Sequence, residues 1–238
     1  MNITIFYPHK RKTKSSTYGI AQMVLDRLLS GGTLHEFYLP QDMPHVCAGC
    51  YACMNGREDK CGGHEYMQKL IAAIDDSELI IFCAPTYVYH IPGQVKTLLD
   101  HFAYRWLVHR PDLSLMCKQA LIITTAAGGG MKSTVRDLRD SMNYWGVGRT
   151  HVITQAVSPA QSRPSSSASI RFFMCITSFA YIIQESRGVV KHRVNVVILQ
   201  GRSLRQEDAG ERRACHSSII CICATAGANR VRPQNGNP

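Results

Sequence analysis

Four cysteines lie close together in the first third of the chain: Cys47, Cys50, Cys53 and Cys61. Two gaps of two residues and one of seven separate them. Three thiolates at two-residue gaps can each bind a different iron of a 4Fe–4S cluster, and the fourth ligand comes from further along the chain. Zinc sites more often use two separate Cys-x2-Cys pairs, and unligated thiols are a third alternative. The spacing favours the cluster, with free thiols second and zinc third.

A basic loop precedes the first predicted helix. Residues 8–17 contain four cationic side chains and several hydroxyl groups, and the helix is expected to begin near Thr17, with Ser16 or Thr17 as its N-cap. The free N–H groups at a helix N-terminus, the helix dipole and nearby cations all favour a bound phosphate. The alternative is a basic loop that only contacts solvent. The local sequence favours a phosphate site.

A loop with little charge lies between a predicted buried strand and a predicted helix. Leu79–Cys83 is a continuous apolar run, which is typical of a strand buried on both faces of a parallel sheet. Pro92 can begin a helix, because its φ is already helical and its missing N–H has no partner there. Between them, residues 85–91 contain two tyrosines and several backbone amides. Open α/β sheets bind ligands at the carboxyl ends of their strands, so this loop is a predicted ligand site.

Strands alternate with helices through the first 157 residues. This alternation indicates an α/β fold with a doubly wound, five-stranded parallel sheet and right-handed connections. The loops 8–17, 85–91 and 125–130 each follow a strand, so we expect them to lie together at the carboxyl edge of the sheet. The predicted strands are 3–7, 33–39, 79–83, 119–125 and one containing Val152 and Ile153, and the predicted helices begin near residues 17, 65, 92 and 132.

The last third of the chain has a different composition. Residues 1–157 contain 16 Lys and Arg against 13 Asp and Glu, whereas residues 158–238 contain 11 against 4, with a single lysine among the 11. The stretch 161–167 has the composition of a linker, and residues 189–199 are compatible with a further strand. We therefore predict one domain over 1–157, followed by an irregular, atypical basic tail of low order over 158–238.

The origin of this tail has two explanations at the level of sequence. The abrupt change from lysine to arginine usage and the missing final helix suggest that the tail is not a native continuation, for example because of a shifted reading frame. A basic appendage that binds nucleic acid is the second explanation, but no aromatic platform or known module supports it. No nucleic-acid partner is therefore expected.

The overall composition favours a soluble protein of the cytoplasm. Hydrophobic residues make up 45% of the chain, which is enough for a core. No stretch reaches the roughly 18–20 apolar residues that span a bilayer, and the first residues look like a strand rather than a secretory signal. In the cytoplasm the ten cysteines should be reduced or metal-bound. Cys83 and Cys117, in or beside strands, are expected in the core.

The segment APTYVYHIPGQVKTLLDH, residues 84–101, resembles the flavin-ring loop and following helix of the NAD(P)H-dependent FMN reductase family, which has a flavodoxin-like fold. Arg11-Lys12 followed by Ser16-Thr17-Tyr18 is similar to the phosphate loop of that family. The three glycines at 128–130, followed by a helix ending in Asn-Tyr-Trp-Gly, are also similar. The resemblance covers about residues 1–157, and the tail resembles nothing in the family.

The resemblance implies that the chain binds FMN. Since FMN itself carries the hydride chemistry, no side chain is expected to act as a catalytic acid, base or nucleophile. One group of residues would hold the phosphate and two others would contact the ring. The phosphate ligands are Arg11, Ser15, Ser16 and Thr17; the residues facing the ring are Pro85, Thr86, Tyr87, Val88, Tyr89 and His90; those closing its other edge are Thr125, Ala126, Gly128 and Gly129.

Two functions are therefore expected. The first is an FMN-dependent NAD(P)H oxidoreductase that passes electrons from the nicotinamide through bound FMN to a quinone or similar small acceptor. The alternative is an electron carrier that links a 4Fe–4S cluster, fed by a redox protein, to FMN, because the cysteine run at 47–53 resembles that of the iron–sulfur flavoprotein branch. Proteins of that branch bring cluster and flavin together between subunits, which implies a homo-oligomer.

Overall fold

The computed structural model describes residues 1–108, 110, 112–157 and 195–199. Strands and helices alternate through the first 157 residues, as predicted. The strands are β1 (Ile3–Tyr7), β2 (Leu34–Tyr38), β3 (Leu79–Cys83), β4 (Gln119–Ala126), β5 (Arg149–Ala156) and β6 (Asn195–Leu199). The α-helices are α1 (Ser16–Leu28), α2 (Leu39–Asp42), α3 (His64–Asp76), α4 (Gly93–His101), α5 (Tyr104–Leu107) and α6 (Met131–Trp145). Short 3₁₀ helices cover Lys12–Lys14, Cys53–Asn55, Glu58–Lys60 and Leu113–Cys117.

The strands form one parallel sheet in the order β2-β1-β3-β4-β5-β6. The predicted doubly wound α/β fold is thereby confirmed for β1 to β5. Within the predicted strand at 189–199, residues 195–199 pair with β5, with Val197 opposite Ile153. The five predicted strands are all present, and within the described residues β6 adds a sixth strand at the edge formed by β5.

Both faces of the sheet are buried. One face packs against α3, α4 and α6 and includes Phe6, Phe82 and Trp145, and the other packs against α1. The ring centroids of Phe102 and Trp145 lie 4.6 Å apart, which joins the end of α4 to the end of α6. Each such fully buried aromatic side chain contributes roughly 1.5–3 kcal/mol to stability. Burial on both faces leaves the carboxyl edge of the strands as the place where loops can bind a ligand.

Two local predictions are wrong. Cys83 is buried as expected, but Cys117 is exposed, because it ends a 3₁₀ helix whose inward contact is made by Leu115. The N-cap of α1 is Ser15 rather than Ser16 or Thr17. The preceding 3₁₀ turn returns the chain to an extended conformation at Ser15, so the helix begins one residue earlier than the sequence suggested.

The predictions for the tail lie outside the described residues, except for the strand at 195–199. These include the boundary at 157/158, the linker at 161–167 and the low order of the remainder. Among the described helices, none combines the length and apolar character that crossing a bilayer requires.

Candidate functional site

Three loops meet at the carboxyl edge of the sheet. They are residues 8–17, 85–91 and 125–130, and we call them the three strand-end loops. They follow β1, β3 and β4, which are neighbours in the sheet. The Thr17 and Thr125 hydroxyl groups hydrogen-bond to each other at 2.8 Å, and the Thr86 N–H donates to the Thr125 carbonyl at 2.9 Å. The structure thus brings together the segments that the sequence assigned to phosphate and ring.

The first strand-end loop presents a helix N-terminus surrounded by cations. The Ser15 hydroxyl accepts the Tyr18 N–H at 3.4 Å, and the N–H groups of Ser16 and Thr17 lie in the first turn of α1, where the helix itself supplies no carbonyl acceptor. Arg11 is exposed just before the helix. The Lys10 and Lys12 ammonium groups each lie 5.7 Å from the centroid of the Tyr38 ring. Free N–H donors and unpaired cations in this arrangement suit a phosphate group.

Two separate sets of threonine hydroxyl contacts connect the loops beneath the surface. The Thr86 hydroxyl lies 3.3 Å from that of Thr124 and 3.0 Å from that of Thr134. Thr17 and Thr125 are both buried and use their hydroxyl groups on each other. These two side chains therefore hold the loops in register, and Thr17 offers a ligand its backbone N–H more directly than its hydroxyl.

The second strand-end loop is a tight turn with unusual backbone angles. Tyr87 and His90 exchange backbone hydrogen bonds of 2.9 Å in both directions. The two residues between them have positive φ, 47° for Val88 and 66° for Tyr89. A β-branched residue rarely adopts such an angle, and strain of this kind concentrates at functional sites. Val88 is also 92% exposed, so the turn projects from the edge of the sheet.

The third strand-end loop lies directly against this turn. Gly130 has a φ of +93°, and a Cβ added there would lie 2.7 Å from both Thr86 Cγ2 and Tyr89 Cα. A Cβ on Gly129 would lie 3.1 Å from Tyr89 Cε1, whereas Gly128 has open space around it. Gly130 is therefore required for the close approach of the two loops, and Gly128 and Gly129 are exposed beside them. Ala126 is buried and ends β4.

Helix α6 contributes two residues that the sequence did not single out. Asp137 Oδ2 lies 3.0 Å from His90 Nδ1, and the Thr134 hydroxyl contacts Thr86 as described above. Residues three apart share a helix face. Their polar character immediately after a glycine turn was the available signal. Together they fix the second strand-end loop from the side of α6.

The four cysteines lie at a different place in the molecule. All four line a cavity of about 760 Å³, and no residue of the three strand-end loops lines it. The segment that carries them, residues 44–63, is called the cysteine segment below. The other walls of the cavity come from α3, α4 and α5 and are mostly apolar. They include His64, Met67, Ile71, His101, Tyr104 and Leu107.

The thiols of the cysteine segment influence each other electrostatically. Burial raises the pKa of Cys53, and the neighbouring Cys61, Cys47 and Cys50 raise it further. Burial also raises the pKa of Cys61; a backbone hydrogen bond at Gly63 opposes this, while Cys50 and Cys47 add to it. Mutual effects of this kind require short separations. The four thiols therefore share one electrostatic environment.

Tyr66, which is half-buried, and His101, which is buried, fix the start of the cysteine segment. The Tyr66 hydroxyl donates to the His45 carbonyl at 3.3 Å, and His101 Nε2 lies 3.2 Å from that hydroxyl and 3.3 Å from the same carbonyl. Both rings pack on Gly63, where an added Cβ would lie 2.5 Å from Tyr66 Oη. Sequence reasoning missed this pair, because its members are 35 residues apart and nothing in the local pattern links them.

Comparison with known proteins identifies the family. A family model described as NADPH-dependent FMN reductase matches residues 1–162, about two-thirds of the chain. The chain belongs to this family. An iron-sulfur flavoprotein of Archaeoglobus fulgidus is 26% identical to this family member over 116 residues, which is 47% of this chain and 51% of that protein.

Two further similarities extend the comparison. An FMN-dependent NADH:quinone oxidoreductase of Photorhabdus laumondii is 35% identical over 65 residues, 25% of this chain and 32% of that protein. The aligned parts thus span only about half and a third of the two relatives. An FMN-dependent NADH-azoreductase of Bacillus anthracis, solved with FMN, superposes with a TM-score of 0.61 over 77% of this chain and 99% of its own, at 11% identity. At that identity the superposition shows a shared fold.

The residues of this reductase-family chain fit the chemistry of FMN. A flavin nucleotide needs a phosphate site and, beside it, backbone amides for its ring. The three strand-end loops bring a helix N-terminus with nearby cations and an exposed turn together on neighbouring strands. The turn at Val88-Tyr89 is exposed and preformed rather than buried in the core. Pro85, at the base of this turn, is buried.

In the described part of the chain, the cysteine segment holds no preformed site for a single metal ion. A tetrahedral zinc ion needs its donors to converge on one point, and in the described part of the chain no three His, Cys, Asp or Glu side chains do so. In a 4Fe–4S cluster each thiolate binds a different iron, so the four sulfurs surround a volume instead. Cys47, Cys50, Cys53 and Cys61 line one cavity, and their ligation of a cluster stays a prediction.

Proposed function

We propose that this chain is an FMN-dependent NAD(P)H oxidoreductase that delivers electrons to a quinone or a similar small acceptor. The observation that carries the proposal is the joining of the three strand-end loops, with a helix N-terminus beside exposed cations at one and a preformed, exposed turn at another. Family membership over residues 1–162 supports FMN as the cofactor and NAD(P)H as the reductant.

Each group of residues has a role in this proposal. Binding and orientation are the tasks of the protein, and FMN, when bound, supplies the hydride chemistry. The exposed turn at Val88 leaves one side of the proposed ring site open, so a nicotinamide and then an acceptor can reach the same place in turn. Arg11, Ser15, Ser16 and Thr17 hold the phosphate, and Pro85, Thr86, Tyr87, Val88, Tyr89, His90, Thr125, Ala126, Gly128 and Gly129 surround the ring.

A binding experiment tests the phosphate site. Arg11→Gln should weaken FMN binding about 10-fold, because a charge-assisted hydrogen bond is lost. Riboflavin has no phosphate, so its affinity should not change. Arg57→Gln removes an exposed arginine outside the three loops and serves as the matched control. Equal losses for FMN and riboflavin would place Arg11 elsewhere than at the phosphate.

A turnover experiment tests the activity itself. FMN-loaded protein should oxidise NADH or NADPH in the presence of a quinone. A parallel assay with an azo dye tests whether the protein also reduces a second class of acceptor. Protein that binds FMN but shows no NAD(P)H oxidation with any acceptor contradicts the proposed function.

A second candidate function is an iron–sulfur flavoprotein that carries electrons between a redox protein and FMN. Two observations favour it: the four thiols around one cavity and the similarity to the Archaeoglobus fulgidus iron-sulfur flavoprotein. Cys47, Cys50, Cys53 and Cys61 would each bind one iron. Since the cavity shares no lining residue with the three strand-end loops, we also propose a homo-oligomer in which one copy's cluster approaches another copy's flavin. A cytoplasmic location, where thiols stay reduced, stays a prediction.

Iron analysis after purification without oxygen tests this second function. The wild-type chain should contain about four irons and four sulfides, and Cys50→Ser should remove the cluster absorption. Cys117→Ser changes an exposed cysteine that does not line the cavity, so it is the matched control. Less than about one iron per chain, or an unchanged spectrum for Cys50→Ser, contradicts the cluster.

A further inference from the structure

Arg110 contacts the cysteine segment at two points. Its guanidinium donates through Nη2 to the carbonyl oxygen of Cys53 and forms an ion pair with Glu58 Oε1 at 2.6 Å. Cys53 and Glu58 belong to two successive 3₁₀ helices, separated by the turn at Gly56, where φ is +69°. One side chain therefore connects the two halves of the segment.

The same guanidinium is itself held in place. It lies over the ring of Tyr104, with 5.1 Å between its Cζ and the ring centroid, and Tyr104 belongs to α5. Tyr104 and Glu58 both line the cavity that the four cysteines surround. Although burial alone would raise the pKa of Glu58, a backbone hydrogen bond and the Arg110 guanidinium hold it below its usual range. Glu58 is therefore an anionic partner for Arg110 at neutral pH.

The contribution of Arg110 lies in geometry rather than in stability. Both side chains of its ion pair are about two-fifths exposed, and exposed pairs add little to the stability of a fold. A planar guanidinium can nevertheless bind a carbonyl and a carboxylate at once while stacking on an aromatic ring, which an ammonium group cannot do. Arg110 thereby holds the chain between Cys53 and Cys61 in a defined turn.

We propose that Arg110 is a positioning residue of the cysteine segment, which holds Cys53 and Cys61 on the same side of the cavity so that the four thiols can bind one metal cluster. This role rests on the second proposed function. It differs from ligation, because Arg110 contacts the backbone of Cys53 and the carboxylate of Glu58 and no sulfur. Groups that orient metal ligands in this way typically change metal affinity 10- to 100-fold when they are removed.

The test compares Arg110→Gln and Arg110→Lys with the control Arg57→Gln. After anaerobic reconstitution with ferrous iron and sulfide, iron loss to EDTA is followed by the cluster absorption. Arg110→Gln should lose iron about 10-fold faster than the wild type, Arg110→Lys should lie between them, and Arg57→Gln should match the wild type. Equal rates for the wild type and Arg110→Gln overturn the proposal.

A measurement without iron separates this inference from the cluster itself. Hydrogen exchange of the amides of residues 52–61 should be faster in metal-free Arg110→Gln than in the metal-free wild type, and unchanged elsewhere. If the wild type takes up no iron, the cluster fails, and the exchange result still decides the role of Arg110. Unchanged exchange at residues 52–61 overturns that role; faster exchange supports it.

Discussion

The three strand-end loops and the cysteine segment are held in different ways. The loops continue directly from buried parallel strands. Two separate sets of threonine hydroxyl contacts, Thr17 with Thr125 and Thr86 with Thr124 and Thr134, help to fix them. The cysteine segment follows the short helix α2 and leads into α3. It depends on side chains that reach it from elsewhere, Tyr66 and His101 at its start and Arg110 near its end.

The two regions should therefore be sensitive to different substitutions. A change in the sheet should disturb the three strand-end loops first, because the strand register sets their positions. A change in one distant side chain should disturb the cysteine side alone.

Protonation of His151 should affect both regions at once, because it destabilises the sheet from which both are built. This buried residue lies in β5 and hydrogen-bonds through Nε2 to Gln119 Oε1 at 2.8 Å. Burial, and next Arg149, lowers the pKa of His151 to about 4. The unfolded chain binds the proton below its ordinary value of about 6.5 and the fold does not. Stability is therefore lost as the pH falls from about 6.5 to about 4, by about 3 kcal/mol.

Urea unfolding of the wild type and His151→Asn at pH 7, 5.5 and 4 measures this loss. The variant lacks the titrating group, so the difference between the two proteins should shrink as the pH falls. Other groups titrate equally in both. Parallel pH curves would show that His151 does not control acid stability.

Gly130→Ala should disturb the three strand-end loops and leave the cysteine segment unchanged. The added Cβ meets Thr86 and Tyr89 at 2.7 Å, at a φ of +93° that alanine rarely adopts. We expect about 2 kcal/mol of destabilisation together with weaker FMN binding. Gly146→Ala, at a φ of +80° outside the three loops, places its Cβ in open space and is the control. The measurements are urea unfolding, FMN titration and iron uptake, and reduced iron uptake in Gly130→Ala would contradict the independence of the two regions.

Removal of the Thr17–Thr125 hydrogen bond should have a smaller effect of the same kind. Thr17→Val or Thr125→Val leaves one buried hydroxyl group without this partner, which costs about 1.5 kcal/mol. The double variant should cost less than the sum of the two, because no hydroxyl group remains to be satisfied. A double-mutant cycle of unfolding free energies measures the coupling. Strict additivity would mean that the bond does not connect the loops.

The positions of the three strand-end loops could be predicted from the sequence, but most of the contacts that hold the cysteine segment could not. The segments around Ser16, Thr86 and Gly128 follow strands that apolar runs reveal, and parallel strands place their ends on one edge. The spacing of the cysteines identified them as a group. Tyr66, His101 and Arg110 act across long sequence separations, so no periodicity marks them.

Smaller errors have equally specific physical causes. The N-cap of α1 moved to Ser15 because a 3₁₀ turn precedes the helix. Cys117 is exposed because the apolar residue that points inward is its neighbour Leu115. Asp137 was missed because its contact with His90 depends on how α6 lies beside the second strand-end loop. Each concerns the packing of one element on another, which local sequence does not encode.

The smallest effect should come from the His90–Asp137 pair. His90 is mostly exposed, so Asp137→Asn should change the unfolding free energy by less than about 1 kcal/mol. FMN affinity should fall only a few-fold, since the turn at residues 87–90 retains its own backbone hydrogen bonds. FMN titrations of Asp137→Asn, His90→Ala and the double variant check this. A further loss in the double variant would show that the two side chains act separately.

The pairing of residues 195–199 with β5 has a practical consequence for experiments on shortened chains. A chain cut after residue 157 would leave the N–H and C=O groups along β5 from His151 to Gln155 without these partners. An unprotected strand of this kind is a template for pairing with other molecules and for aggregation. Insolubility or apparent oligomers of such a fragment would then reflect an exposed edge. The oligomeric state of this reductase-family chain is better measured on the full length.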